Sequence, residues 1–247
     1  MESLTELYRI GAGPSASHTM GPKRAAELFK QRTPDAASRR VTLYASLAAT
    51  GRGHLTDVAI QEVFAGESFS IDWKPRENMP LHPNGMTWEA FDGDGNKTDE
   101  WQVYSVGGGA LAEKGQDPPP DLYVRRSMRE ILQWARETNM PLWKFVEERE
   151  GAGIWDYLST CWQAMQEAIE RGLEAHGVLP GSLKLKRKAH RHFDQAKGRP
   201  GPLQRTGLLT AYALAVSEEN ASGGTVVTAP TGGACGVLPA VLRYLKE

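Results

Sequence analysis

Gly115-Gln116-Asp117-Pro118-Pro119-Pro120 is the stretch that divides this chain of 247 residues. Proline fixes φ and has no amide donor, so three in succession end any regular element, and residues 116–126 read as a linker. Upstream, over residues 1–115, strand and helix patterns mix. Downstream, over 127–247, the pattern is almost wholly helical. The expected fold class is therefore α+β, with a small mixed domain first and a mainly helical one after it.

Gly21-Pro22 ahead of Ala25, Ala26, Leu28 and Phe29 predicts a short helix with proline near its start. Val41, Leu43, Ala45 and Leu47 alternate with Thr42, Tyr44 and Ser46, the period of a half-buried strand. A helix follows from about Thr56 to Ala65, closed by Gly66. Trp88 to Phe91 and Trp101 to Val106 flank Asp92-Gly93-Asp94-Gly95-Asn96, which reads as a hairpin. That turn has the opening spacing of a calcium loop, but Lys97 stands where glycine is needed and Val103 where the bidentate Glu is needed. The plain hairpin is preferred.

Beyond the prolines, Ser127 and Glu130 form a capping box, and Pro141 opens a further helix. Trp155, Leu158, Trp162, Met165, Ile169 and Leu173 recur at helical spacing, with Cys161 beside them as a packed thiol. Leu208 to Val216 is apolar on nearly every side and predicts a buried helix. The run Lys184, Lys186, Arg187, Lys188, His190, Arg191, His192 reads as a solvated or anion-facing segment, since its surroundings are not basic.

The formal net charge of -1 argues against a dedicated nucleic-acid binder. No apolar stretch reaches bilayer length, and the first residues lack a secretory pattern, so a cytoplasmic protein with no membrane partner is expected. Cys161 and Cys235 give no disulfide framework.

Three clusters carry possible chemistry. Cys235 lies in Thr228-Ala229-Pro230-Thr231-Gly232-Gly233-Ala234-Cys235-Gly236, ahead of the apolar run Val237 to Leu242, so a helix start there favours the thiolate. That last helix reaches Glu247 without a closing Gly, Asn or Pro, which suggests a truncated protein. Gly11 to Thr19 crowds Ser15, Ser17, His18 and Thr19 into a glycine-loosened loop before a helix, a common way to hold a carboxylate or phosphate. Gly51-Arg52-Gly53-His54-Leu55-Thr56-Asp57 sets an imidazole on a loop, where it can move protons near neutral pH. Each of the last two also reads as a capped turn with a satisfied histidine.

Gly13-Pro14-Ser15-Ala16-Ser17-His18-Thr19-Met20-Gly21-Pro22 and Thr50 to Asp57 resemble two signatures of the bacterial iron–sulfur-dependent L-serine dehydratases. So do Tyr104 to Gly109, Gly181 to Arg187, and Glu218-Glu219-Asn220-Ala221-Ser222-Gly223-Gly224 leading to Cys235-Gly236. The matches lie in order along nearly the whole chain. Gly232 departs from the family's usual Asn, and Ala16 from a frequent Ser.

The resemblance implies a sandwich-like α+β domain of substrate or allosteric type over 1–115, and over 127–247 the first part of a helical catalytic domain. It also implies a 4Fe-4S cluster with Cys235 as one ligand and the others outside this chain. His54 and His18 would be catalytic, and Ser15, Ser17, Thr19, Asn220 and Thr231 would bind L-serine. The reaction removes water from L-serine to give pyruvate and ammonia, as in amino-acid degradation and gluconeogenesis. A homodimer is expected for the full-length protein, and little activity for this chain alone. The rival readings are a pyridoxal phosphate enzyme, a cysteine hydrolase using Cys235, and a serine-sensing regulatory module without catalysis.

Overall fold

Asp92 builds the hairpin on which the mixed sheet rests. Its carboxylate accepts from the backbone amides of Asp94 at 3.0 Å and Asn96 at 2.8 Å, and Gly95 takes the left-handed conformation, φ 83°. The flanking strands β4 (Gly85–Phe91) and β5 (Lys97–Gly107) pair antiparallel with Trp88 opposite Trp101. The computed structural model that shows this describes residues 2–115 and 121–247. The first part of the expected linker, 116–120, lies outside the described residues.

Ahead of the hairpin come α1 (Leu4–Leu7), β1 (Ile10–Ala12), a π-helical turn (Ala16–Met20), α2 (Gly21–Arg32), β2 (Ser38–Tyr44), α3 (Ala45–Thr50), a 3-10 turn (Gly51–His54), α4 (Thr56–Val63) and β3 (Phe69–Lys74). With β6 (Ala110–Ala112) after it, the five-stranded sheet has the order β3-β2-β4-β5-β6, with β2 and β3 parallel and the other pairs antiparallel. Phe29 of α2 and Ile60 of α4 pack with Val41, Leu43, Met86, Trp88 and Val103 of the sheet in one buried core. Phe29 and Trp101 stack with ring centroids 6.3 Å apart.

The strand expected through Leu47 stops at Tyr44. Ala45 takes φ 39°, and the chain turns into α3, so that Leu47 reaches the core from a helix. Backbone bonds from Ala45 N to Glu77 O and from Ser46 N to Pro83 O hold this bend, and both partners belong to a distant loop that local alternation cannot report.

After the prolines, α5 (Met128–Thr138) starts on the expected capping box and α6 (Leu142–Glu150) follows Pro141. The long helix α7 (Ile154–Glu174) forms as expected, but its buried stripe runs through Ile154, Cys161, Met165, Ala168, Ile169 and Gly172, while Trp155 is exposed. The stripe is set by α9 (Pro202–Ala221), which approaches so closely that a Cβ on Gly172 would lie 2.2 Å from Ala215 O. At that crossing a residue without a side chain is required, while Met165 and Ile169 are buried along the same stripe.

α8 (Ala189–Lys197) begins on a buried acid: Glu218 accepts from Lys188 N at 2.7 Å and Ala189 N at 3.4 Å. Within the basic run, Arg187 turns inward to Glu219, 3.1 Å away, and Arg171 meets the same carboxylate at 3.3 Å. β7 (Thr225–Val227) and α10 (Val237–Lys246) complete the chain. β7 pairs antiparallel with β1, Ile10 opposite Val227, so the N-terminal segment is anchored to the helical portion. Among the described residues no helix is long and apolar enough to cross a membrane.

Candidate active site

Ser15 caps the π-helical turn, its hydroxyl accepting from His18 N at 3.1 Å, which aims the following side chains at the 3-10 turn carrying His54. The two turns are tied together. Thr19 Oγ1 donates to His54 O at 2.7 Å and accepts from Ser15 N at 3.2 Å, and Thr56 Oγ1 donates to His18 O. Ser105, fully buried on β5, donates to Ser17 O at 2.8 Å from beneath.

This lattice brings the His18 and His54 rings to 4.7 Å between centroids, tilted by 36°. His54 Nδ1 lies 3.0 Å from Thr50 O; a carbonyl only accepts, so Nδ1 carries the proton and Nε2 holds the lone pair. His18 is flanked by two hydroxyls, Ser17 Oγ at 2.9 Å from Nδ1 and Ser46 Oγ at 3.0 Å from Nε2. Burial, and after it the charge of His54, lowers the His18 pKa from its ordinary 6.5.

The 220s and 230s close the site from the helical side. Asn220 Nδ2 donates to Pro14 O at 3.1 Å, and Gly13 packs so tightly that a Cβ there would lie 2.2 Å from Asn220 O. Asn220 Oδ1 is buried with no hydrogen-bond partner among the described residues. A Cβ on Gly232 would contact Ala16 N at 3.3 Å and Pro14 O at 3.4 Å, so the turn before Cys235 lies against the serine loop. Cys235 packs with Ala16, Met20, Tyr212, Val216 and Ala240.

The thiolate favoured by a helix start is not what this surrounding supports. Cys235 is 1% exposed, and burial pushes its thiol up to about 11. Thr231 is exposed, and its hydroxyl is used within its own turn, accepting from Ala234 N at 3.3 Å. Cys161 belongs to a separate apolar cluster with Met165 and Val227, where burial raises its thiol pKa.

Among the described residues, no three His, Cys, Asp or Glu side chains are placed to hold a metal ion. A cubane cluster is held by about four thiolates, and this site offers Cys235 alone, so the residues present do not complete such a group.

Of the sequence candidates, Ser15, Ser17, His18, Thr19 and His54 form one connected site, against which Asn220 and the Cys235 turn pack. Sequence reasoning missed Ser46, Thr56, Ser105 and His82, the last bearing electrostatically on His18. Thr56 and Ser105 lie inside motifs already singled out, so a hydroxyl in those stretches was the available signal. Ser46 falls in the alternating run that predicts a strand, and nothing local marks it as part of the site.

The model for the serine dehydratase beta chain matches residues 3–70, and that for the serine dehydratase alpha chain matches residues 67–247. L-serine dehydratase of Streptomyces coelicolor is 35% identical over 298 residues, taking in 98% of this chain and 65% of the relative. L-serine dehydratase 1 of Escherichia coli is 35% identical, covering 99% of this chain and 66% of its own, and L-serine dehydratase 2 of the same organism is 34% identical, covering 100% and 66%. The chain thus spans about two thirds of the length of these relatives. The alpha-chain match from residue 67 onward takes in β4, β5 and every helix from α5 to α10, and on that ground the chain belongs to the serine dehydratase family.

Proposed function

We propose that this chain carries the substrate-binding and proton-transfer side of an L-serine dehydratase site. The observation that carries the reading is the pair of imidazoles at 4.7 Å, walled by the hydroxyls of residues 15–19. In this reading residues 1–115 and 127–247 are two domains on either side of the 116–126 linker. The site in this reading lies where Ser15–Thr19 and His54 of the first face Asn220 and the Cys235 turn of the second, with Thr231 at its exposed side.

The loop of Ser15, Ser17 and Thr19 receives the substrate carboxylate, as an anion is commonly held at the start of a helical segment, with the Ser17 hydroxyl turning from His18 Nδ1 to the carboxylate on binding. Asn220 Oδ1, a buried acceptor without a partner, suits the α-ammonium group. His54 Nε2 takes the α-proton, and its lone pair is available because Nδ1 donates to Thr50 O. The electron pair left on the α-carbon forms the Cα–Cβ double bond as the Cβ–O bond breaks with its pair on oxygen, and the departing hydroxide together with the proton held on His54 makes up the water that is lost. His18 adjoins the base and is kept neutral by burial. Cys235 is the ligand this chain contributes to an iron–sulfur cluster. No step is assigned to that group, since the described residues do not complete its ligand set.

Calorimetric titration of L-serine, together with pyruvate formation measured under anaerobic conditions with iron and sulfide, tests the reading. L-serine binding is expected, weakened by about ten-fold in Ser17→Ala, the loss of roughly one hydrogen bond to a charged group. Where there is turnover, His54→Ala is expected to lower kcat by about 100-fold or more. Absence of L-serine binding would overturn the proposal. Binding without turnover under any reconstitution would favour a serine-sensing module.

A further inference from the structure

Ser46 has no role in the proposed chemistry, yet among the described residues it is the one hydroxyl bonded at the Nε2 edge of the His18 ring. We propose that Ser46 is a positioning residue of the site: its hydroxyl accepts from His18 Nε2–H and fixes His18 in the tautomer opposite to that of His54. The inference deepens the functional reading, because it concerns the same pair of imidazoles.

The direction follows along a chain of hydroxyls. Ser15 Oγ already accepts from His18 N at 3.1 Å, so its own proton is free to point to Ser17 Oγ, 3.5 Å away. Ser17 Oγ then donates to His18 Nδ1 at 2.9 Å. With Nδ1 accepting, a neutral imidazole carries its proton on Nε2, and the group that receives it is Ser46 Oγ at 3.0 Å. On the neighbouring ring the order is reversed, since His54 Nδ1 donates to Thr50 O. The pair therefore presents one N–H and one lone pair at the Nε2 positions rather than two alike.

Both settings come from one short element. Ser46 and Thr50 stand four residues apart on α3, and Thr50 Oγ1 donates to Ser46 O at 2.9 Å, tying the first turn to the last. The helix supplies a side-chain acceptor for one histidine and a backbone acceptor for the other. Its start is held in an unfavourable conformation, with φ 39° at Ala45, a residue with a Cβ. Such a bend persists only where surrounding bonds impose it, here those from Ala45 N and Ser46 N to Glu77 O and Pro83 O. The strain buys the placement of Ser46 Oγ beside His18.

Long-range proton–nitrogen NMR on the protein tests this without any turnover. The expected result is His18 protonated on Nε2 and His54 on Nδ1 in the neutral pair, with His18 assigned by loss of its signals in His18→Asn. The charges that bear on His18 are those of His54 and His82, so their titrations are followed in the same series. In Ser46→Ala the midpoint of His18 is expected to fall further, because the hydroxyl that accepts from the charged ring is gone, and Ser46→Thr is expected to restore it. Where turnover is measured, Ser46→Ala is expected to lower kcat by about ten-fold with KM for L-serine little changed, and Thr to rescue it. Wild-type His18 protonated on Nδ1 would overturn the proposal whether or not the variants fold, as would a Ser46→Ala titration identical to wild type. A protein that does not bind L-serine at all would sink the functional reading but leave the tautomer result to judge Ser46.

Discussion

His18 shows how a single side chain couples the site to folding. In the unfolded chain it titrates near 6.5, and in the fold burial and the charge of His54 lower that value. Below pH 6.5 the unfolded chain therefore takes up a proton that the folded chain does not. Stability is complete above 6.5, is lost as pH falls toward the lowered folded value, and then levels. Melting temperature is expected to decline from pH 7 to pH 5, and the decline to be shallower in His18→Asn, as differential scanning calorimetry would show. Cys235 and Cys161, 1% and 2% exposed, are expected to react with iodoacetamide far more slowly in the folded protein than in denaturant, measured by mass spectrometry. The histidines and serines of this site were readable as residue types in short motifs. The protonation of Cys235 was not, because a helix start favours the thiolate while burial in a cluster that also draws on Ala16, Met20 and Ile169, far away in sequence, pushes the thiol pKa up.

At the scale of elements, local signals placed most of the boundaries. The Asp92 turn, the Ser127 capping box and Pro141 each satisfy or remove backbone groups within a few residues, so their effects are legible locally. Two features were not. The switch from β2 to α3 depends on backbone acceptors at Glu77 and Pro83, and the phase of the α7 stripe depends on how closely α9 approaches. The second gives a sharp expectation. Gly172→Ala would press a methyl group into the backbone of α9, and destabilisation by about 2 kcal/mol is expected in urea unfolding followed by circular dichroism. An unchanged midpoint would mean that the two helices separate at little cost.

Across the whole molecule, the pairing of β1 with β7 brings the N-terminal segment against the helical portion and carries the serine loop to Asn220. Thr228 secures that pairing from a fully buried position, accepting from Arg9 N at 2.8 Å and donating to Leu7 O at 2.7 Å. Thr228→Val leaves both backbone groups without their partner, and a loss of about 2 kcal/mol is expected, with faster proteolysis within residues 2–12. The sequence by itself determined the α+β class, the positions of most helices and the short motifs from which the candidate site is built, because turns, caps and apolar periods act over a few residues. Tertiary structure alone decided that residues 15–19, 46–56 and 220–235 meet, and that the two imidazoles lie side by side. Those outcomes rest on hydrogen bonds and burial between segments as much as 206 residues apart, as in the bond from Asn220 to Pro14, and no local pattern encodes them.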